Sequence, residues 1–194
     1  MEHKKSLVDI ASEETNVLGF LGPVEYKYDE EFIVTIESYP ISNLPNDLAQ
    51  WTFNLVKRNV REFYKKSNDG WNPREKLDEM REPHARYLIA RRKNDNTKEQ
   101  DASKGQQQDC EQKLRKDEHA RGKGLGTFLM RTMEDLGRRW KMKKSMLTIF
   151  KANTKALNFY YKHLGYEIDG ISPSLYLDPK EAEEYDYEIL SKDL

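Results

Sequence analysis

Arg121-Gly122-Lys123-Gly124-Leu125-Gly126 is the run in this chain with the clearest chemical potential, because three glycines stand directly before a helix-patterned stretch. Leu125, Phe128, Leu129, Met133, Leu136 and Trp140 recur at helical spacing and fall on one face. Glycines at a helix start permit close backbone approach, and the first-turn N–H groups of any helix lack an intrahelical acceptor. The helix dipole adds positive potential there, so the feature suits a phosphate or pyrophosphate. The competing reading is a flexible glycine turn. Neither GxxxxGK[ST] nor GxGxxG is present, which excludes the nucleotide-triphosphate and dinucleotide fingerprints.

The elements that must position this run are legible in pieces. Glu31 to Tyr39 holds Phe32, Ile33, Val34 and Ile36 before Pro40 and reads as a strand. Asn46 to Lys66 places Leu48, Trp51, Leu55, Val56, Val60, Phe63 and Tyr64 at spacings of one, three and four, an amphipathic helix that Pro45 and Asn46 announce. Gly70-Trp71-Asn72-Pro73 is a turn, Pro73 to Met80 a second helix, and Tyr87 to Ala90 a short strand. After the glycines come a helix over Phe128 to Trp140, a buried strand over Ser145 to Phe150 and a helix over Thr154 to His163. Strands over Gly165 to Ile168 and Tyr185 to Leu190 follow. This alternation predicts an α/β fold of packed layers.

A second constellation follows the Ser145 to Lys151 strand: Asn153, Ala156, Tyr160, Tyr161, Leu164, Gly165 and Tyr166 form N-x-x-A-x-x-x-Y-Y-x-x-L-G-Y. Together with R-G-K-G-L-G, this resembles the GNAT acetyltransferases, whose pyrophosphate motif Q/R-x-x-G-x-G/A falls here on Arg121, Gly124 and Gly126. The resemblance implies a mixed central sheet flanked by helices. It also implies a loop, Arg121, Gly122, Lys123, Gly124, Leu125, Gly126 and Thr127, whose amides hold the pyrophosphate of acetyl-CoA, with Asn153 holding the cofactor beyond it. Further runs narrow the likeness to the NatD class of N-terminal acetyltransferases: M-L-T-I-F-K-A-N (146–153), E-I-D-G-I-S-P-S (167–174), Y-E-I-L-S (187–191), Y-K-K-S-N-D-G-W-N-P-R-E-K (64–76) and Tyr87-Leu-Ile-Ala. That class acetylates the α-amine of histone tails beginning Ser-Gly-Arg-Gly, so the resemblance implies Tyr64 and Tyr187 as substrate contacts and Thr148 as a further cofactor contact. Tyr161 stands where many GNAT enzymes carry a general acid for the leaving thiolate. From residue type alone, each tyrosine reads as a core or rim aromatic with a satisfied hydroxyl, and a packing role is the expectation for Tyr161.

The stretch before the glycines departs from this pattern. Between Lys93 and Ala120 the only apolar residues are Ala102, Cys110, Leu114 and Ala120, too few to bury a strand or a helix face. In the family that territory carries the glutamate general base and a strand whose backbone pairs with the pantetheine arm. Counting back from Arg121 without gaps puts Lys113 in the glutamate's place and Leu114, Arg115 and Lys116 in the backbone-pairing places. Glu111 and Glu118 are the nearest replacements, each without an apolar neighbourhood to raise its pKa. The central strand region, about 93–116, is therefore atypical. The alternative function is a catalytically impaired coenzyme A- or peptide-binding module of the same fold; a small-molecule acetyltransferase is a third reading.

Composition agrees with a folded core diluted by one polar stretch. The chain has 194 residues, of which 35% are charged and 37% hydrophobic. A net charge of −1 argues against a nucleic-acid backbone as ligand. One cysteine, Cys110, excludes an intramolecular disulfide and a multi-thiolate metal site; it has no paired histidine that would make it a nucleophile. His3, His84, His119 and His163 show no ligand spacing, so no metal is expected. No window approaches a membrane span, and no secretory signal opens the chain, which makes cytoplasm and nucleus the expected compartments. Six acidic residues against Lys180 between Asp178 and Glu188 would suit a basic histone tail, or simply solubilise a loop. The expected organisation is an N-terminal segment over 1–30 and an acetyltransferase domain over 31–194, interrupted by 93–120, working as a monomer.

Overall fold

The computed structural model of the chain describes residues 10–11, 13–14, 16–22, 24–93 and 121–194. Glu111, Glu118, Leu114, Arg115 and Lys116 lie outside the described residues, as does Lys113.

The first sheet is an antiparallel set of three strands in the order β1-β2-β3: β1 (Glu25–Lys27), β2 (Ile33–Pro40) and β3 (Arg86–Arg92). Alternation along β2 buries Val34 and Ile36 and leaves their neighbours more exposed, as period-two side chains require. Because β1 pairs with β2 over Glu25–Thr35, Tyr26–Val34 and Lys27–Ile33, the sheet begins before the domain boundary expected at residue 31. Three residues of E-Y-K are too short and too charged to announce a strand by pattern; the partner strand holds them extended.

Between β2 and β3 lie α1 (Asn46–Tyr64) and α2 (Pro73–Glu79). Asp47 in the first turn of α1 and Arg61 in its last turn complement the helix dipole. Asn72 caps α2, its Oδ1 accepting from the N–H of Arg74 at 3.0 Å and of Glu75 at 3.4 Å, with Pro73 at the first helical position.

The second half, described from Arg121, holds α3 (Leu125–Arg139), β4 (Lys144–Phe150), α4 (Thr154–Asn158), β5 (Glu167–Ile168), the short helices α5 (Pro173–Tyr176) and α6 (Pro179–Ala182), and β6 (Tyr187–Asp193). Here the strands order β4-β6-β5, again antiparallel. The α/β class holds. Among the described residues the pairings are antiparallel in two three-stranded sheets, and the stretch expected to supply a mixed central sheet falls within 94–120. Several boundaries moved: the strand expected over Gly165 to Ile168 begins at Glu167 because Gly165 caps the preceding turn, and two other shifts have local reasons. The helix expected over Thr154 to His163 leaves α geometry at Asn158 and continues as a π-helical turn over Phe159–Leu164, closed by Gly165 at φ 71°. The closing strand runs to Asp193 because Lys192 and Asp193 pair with Ser145 and Lys144.

The core of this half is Ile149, Leu164, Tyr166 and Leu190, backed by Met130, Leu157, Tyr160 and Tyr161. Tyr166 is 1% exposed, and its hydroxyl hydrogen bonds Ser145 Oγ at 2.8 Å, so a large aromatic is buried with its polar tip satisfied. Asp169 is buried beside it in the chain; it takes Lys144 Nζ at 2.7 Å and the Ile171 N–H at 3.1 Å. The Lys144 bond, then Ser191 and that amide, hold its carboxyl down to about 2. An unfolded aspartate titrates near 4, so the contribution is complete above that range and is lost as pH falls through about 4 toward 2. Asp169→Asn should lower the melting temperature at pH 7 and flatten its fall across that acid window. Thermal melts at stepped pH read this, and an unaltered acid slope in the variant would refute it.

Candidate active site

The glycine-rich loop adopts the conformation its residues permit. Gly122 and Gly124 have φ of 73° and 74°, a region that side-chain-bearing residues avoid, and Gly124 is the N-cap of α3. The first-turn amides, Leu125, Gly126 and Thr127, lack intrahelical acceptors by helix geometry, and Gly124 brings no side-chain cap. A Cβ at Gly124 would stand 2.7 Å from Tyr26 Oη, and one at Gly126 would stand 3.3 Å from Phe159 Cζ. These two glycines therefore let the loop pack against β1 and against the π-helical turn, while Gly122 has open space at its Cβ position. Two left-handed glycines and a helix start without a side-chain cap form a cradle that fits an anion such as a pyrophosphate.

Lys123 turns toward the β1–β2 hairpin. Its Nζ lies 4.5 Å from the centre of the Phe32 ring, 5.1 Å from that of Tyr28 and 3.8 Å from Asp29 Oδ2. Its contribution to the cradle is through its backbone. Arg121 is an exposed residue at the loop's start.

Thr148 is exposed on β4, opposite Ile189. Asn153 caps α4, with Oδ1 accepting from the Ala156 N–H at 3.3 Å, and its own N–H bonds the Phe150 carbonyl at 2.9 Å. That cap fixes the start of the helix whose continuation, at Phe159, abuts Gly126. Asn153 thus has a structural employment that accounts for its side-chain oxygen and leaves its amide NH₂ for another partner.

Phe150 organises the expected substrate side. Its ring meets Tyr64 edge-on at 4.8 Å and stacks with Phe63 at 6.0 Å, while Tyr187 is its partner across the β4–β6 ladder. Directly paired residues share a sheet face, and so do residues two apart on a strand. Thr148, Phe150 and Tyr187 therefore occupy one face, and Tyr64 reaches it from α1. Sequence placed Tyr64 and Tyr187 over a hundred positions apart; the fold brings both to Phe150. Lys76 donates to Tyr64 Oη at 2.7 Å and pairs with Glu79. Burial works against the Lys76 charge, but the bonds to Glu79 and Tyr64 hold its pKa above the ordinary lysine value. Since an ammonium only donates, the phenolic proton of Tyr64 is left to be given outward. Trp71 lies edge-on to Tyr64 at 5.6 Å, its indole N–H buried without an acceptor among the described residues. Asn68 ties the α1–α2 turn to the acidic loop, its N–H reaching Asp186 Oδ2 at 3.1 Å and its side chain the Glu184 carbonyl at 2.6 Å.

Tyr161 lies on the other face of the sheet. It packs against the core that contains Ile149 and Leu190, and burial, then the Glu188 charge, raises its pKa. The phenol is protonated at neutral pH, but the described packing does not bring it to the face of Tyr64 and Tyr187. Glu188 also leaves the expected acidic rim. It is buried, and its Oε2 accepts from Ser172 Oγ and Ser174 Oγ, each at 2.6 Å, with Lys151 Nζ 3.6 Å from Oε1. Five of the six carboxylates, Asp178, Glu181, Glu183, Glu184 and Asp186, remain on the surface side.

Residues that the sequence reading passed over hold these parts together: Tyr26 and Phe159 behind the glycines, Lys76 on Tyr64, and Asn68 at the acidic loop. Each acts through a contact distant in sequence, for which spacing offers no signal. Among the described residues no cluster of histidine, cysteine and carboxylate is placed to hold a metal ion, and no helix is long and apolar enough to cross a membrane. In a comparison with protein families, residues 54–166 match the model described as the acetyltransferase (GNAT) family.

Proposed function

Since the chain belongs to the GNAT acetyltransferase family, we propose that it transfers acetyl from acetyl-CoA to the N-terminal α-amine of histone tails beginning Ser-Gly-Arg-Gly. The observation that carries the acceptor half of this reading is the meeting of Tyr64, Phe150 and Tyr187 on one sheet face beside the acidic 178–186 loop. Five surface carboxylates against Lys180 attract and orient a basic peptide. The aromatic face offers apolar contact to a chain terminus, and Tyr64 a hydrogen-bond donor to its backbone carbonyl. Such a tail would be met in the cytoplasm or nucleus.

Acetyl-CoA supplies an acyl group activated as a thioester. The chain's part is to hold the pyrophosphate end on the amides of Leu125, Gly126 and Thr127, to orient the acceptor peptide on the aromatic face, and to receive the amine proton. The amine must be neutral to attack, and a positioned base contributes about 10²- to 10⁴-fold. The sequence candidates for that base, Glu111 and Glu118, fall outside the described residues.

The test gives purified protein acetyl-CoA with a Ser-Gly-Arg-Gly peptide, beside the same peptide blocked at its α-amine. Acetylation of the free peptide alone is expected. Coenzyme A binding without turnover of either peptide would replace this reading with that of a binding module.

A further inference from the structure

Tyr26 ties the first sheet to the glycine-rich loop. Its hydroxyl donates to the carbonyl oxygen of Lys123, its ring lies 5.0 Å from that of Phe128 on α3, and its oxygen fills the place a Gly124 side chain would take. The same hairpin engages the Lys123 side chain through Phe32, Tyr28 and Asp29. So the one residue between the two left-handed glycines is held at both its carbonyl and its ammonium. Without those holds, the freedom of φ at Gly124 lets the Lys123–Gly124 peptide rotate more readily than one between two side-chain-bearing residues.

In a trans peptide the C=O and N–H point in opposite directions. The carbonyl of Lys123 and the N–H of Gly124 belong to one such unit. Bonding that carbonyl to Tyr26 turns the Gly124 N–H away from the hairpin. Rotation of the unit would instead point a carbonyl oxygen at an incoming anion.

We propose that Tyr26 is a positioning residue for the cofactor loop: its hydroxyl fixes the Lys123–Gly124 peptide with the N–H of Gly124 directed, beside the first-turn amides of α3, at the pyrophosphate. This rests on the reading of the loop as a coenzyme A cradle. Tyr26 touches neither cofactor nor acceptor in this role. It sets the sign of the dipole that the loop presents.

Tyr26→Phe removes the hydroxyl and keeps the ring on Phe128. The KM for acetyl-CoA should rise about three- to tenfold, the scale of one hydrogen bond, with kcat at saturation unchanged and the melting temperature lower by no more than about 4 °C. Acetyl-pantetheine, which lacks the pyrophosphate, should show no such change. Hydrogen exchange at Gly122, Gly124 and Leu125 in the free protein should quicken in the variant. Equal KM for acetyl-CoA in both proteins, or an equal rise for the two donors, would overturn the proposal. Should the wild type bind no coenzyme A, the cradle reading fails on its own account. The role of Tyr26 is then judged by exchange, where unchanged rates at those amides would refute it.

Discussion

Gly124→Glu should weaken coenzyme A binding by at least a hundredfold while the protein stays folded. Three effects act at this one residue. The backbone there is left-handed, at φ 74°, which costs a side-chain-bearing residue about 1–2 kcal/mol. The new Cβ would stand 2.7 Å from Tyr26 Oη, so the hydroxyl must give way and release the Lys123 carbonyl. The added carboxylate then brings negative charge to a helix start that otherwise favours an anion. Gly124→Ala separates these causes, since it shares the strain and the displacement but adds no charge; about a tenfold loss is expected for it. Calorimetric titration of both variants with coenzyme A measures the difference, alongside thermal melts. Affinity equal to wild type in Gly124→Glu would show that the loop is a turn and nothing more.

The second large effect is on stability. Glu134 on α3 is 2% exposed and pairs with Lys192 Nζ of β6 at 2.9 Å and with an Arg138 guanidinium nitrogen at 3.5 Å. Lys192 lies 5.8 Å from the centre of the Tyr166 ring and is itself about a quarter exposed. Deleting one member of a buried pair strands the other charge, at a cost of about 3–5 kcal/mol when both are fully buried. With Lys192 partly hydrated, Glu134→Ala should cost about 2–3 kcal/mol, or a melting temperature lower by about 5–10 °C. Lys192→Met should cost more, because it leaves a buried carboxylate whose Oε1 has no hydrogen-bond partner among the described residues. Combining Glu134→Leu with Lys192→Met should recover most of the loss, since the two substitutions remove one shared interaction. Denaturant unfolding of Glu134→Leu alone, Lys192→Met alone and the two combined closes the cycle. Additive losses would mean the pair does not hold α3 to the sheet.

How far the sequence spoke depended on the range of the contact that shaped each part. The amphipathic α1 and α3 follow from apolar spacing within their own residues, and both form near their expected bounds. β4 likewise runs Lys144–Phe150 around the expected buried stretch. β1 escaped because its three residues are extended by pairing with β2 rather than by their own pattern. The helix over Thr154 to His163 carried no mark of its passage into π geometry, which the packing of Phe159, Tyr160 and Tyr161 accompanies. At the site, glycine spacing identified the loop and could not identify Tyr26 behind it. The acidic count between Asp178 and Glu188 took six charges as one surface, yet period two along β6 buries Glu188 and leaves its neighbours half-buried. Alternation from the fully buried Leu190 would have shown this, had the strand been phased from that residue.

The glycines at 124 and 126 have a bearing on how this sequence is free to drift. Each is small on account of an aromatic ring pressed against it, Tyr26 in one case and Phe159 in the other. A side chain at 126 requires the Phe159 ring to give by a few tenths of an ångström, and one at 124 requires the Tyr26 hydroxyl to move aside and the left-handed backbone to be accepted. The loop and its two rings therefore form a set whose members must change together. Positions 26 and 159, lying far from the motif along the chain, thus bear directly on what the glycines can become.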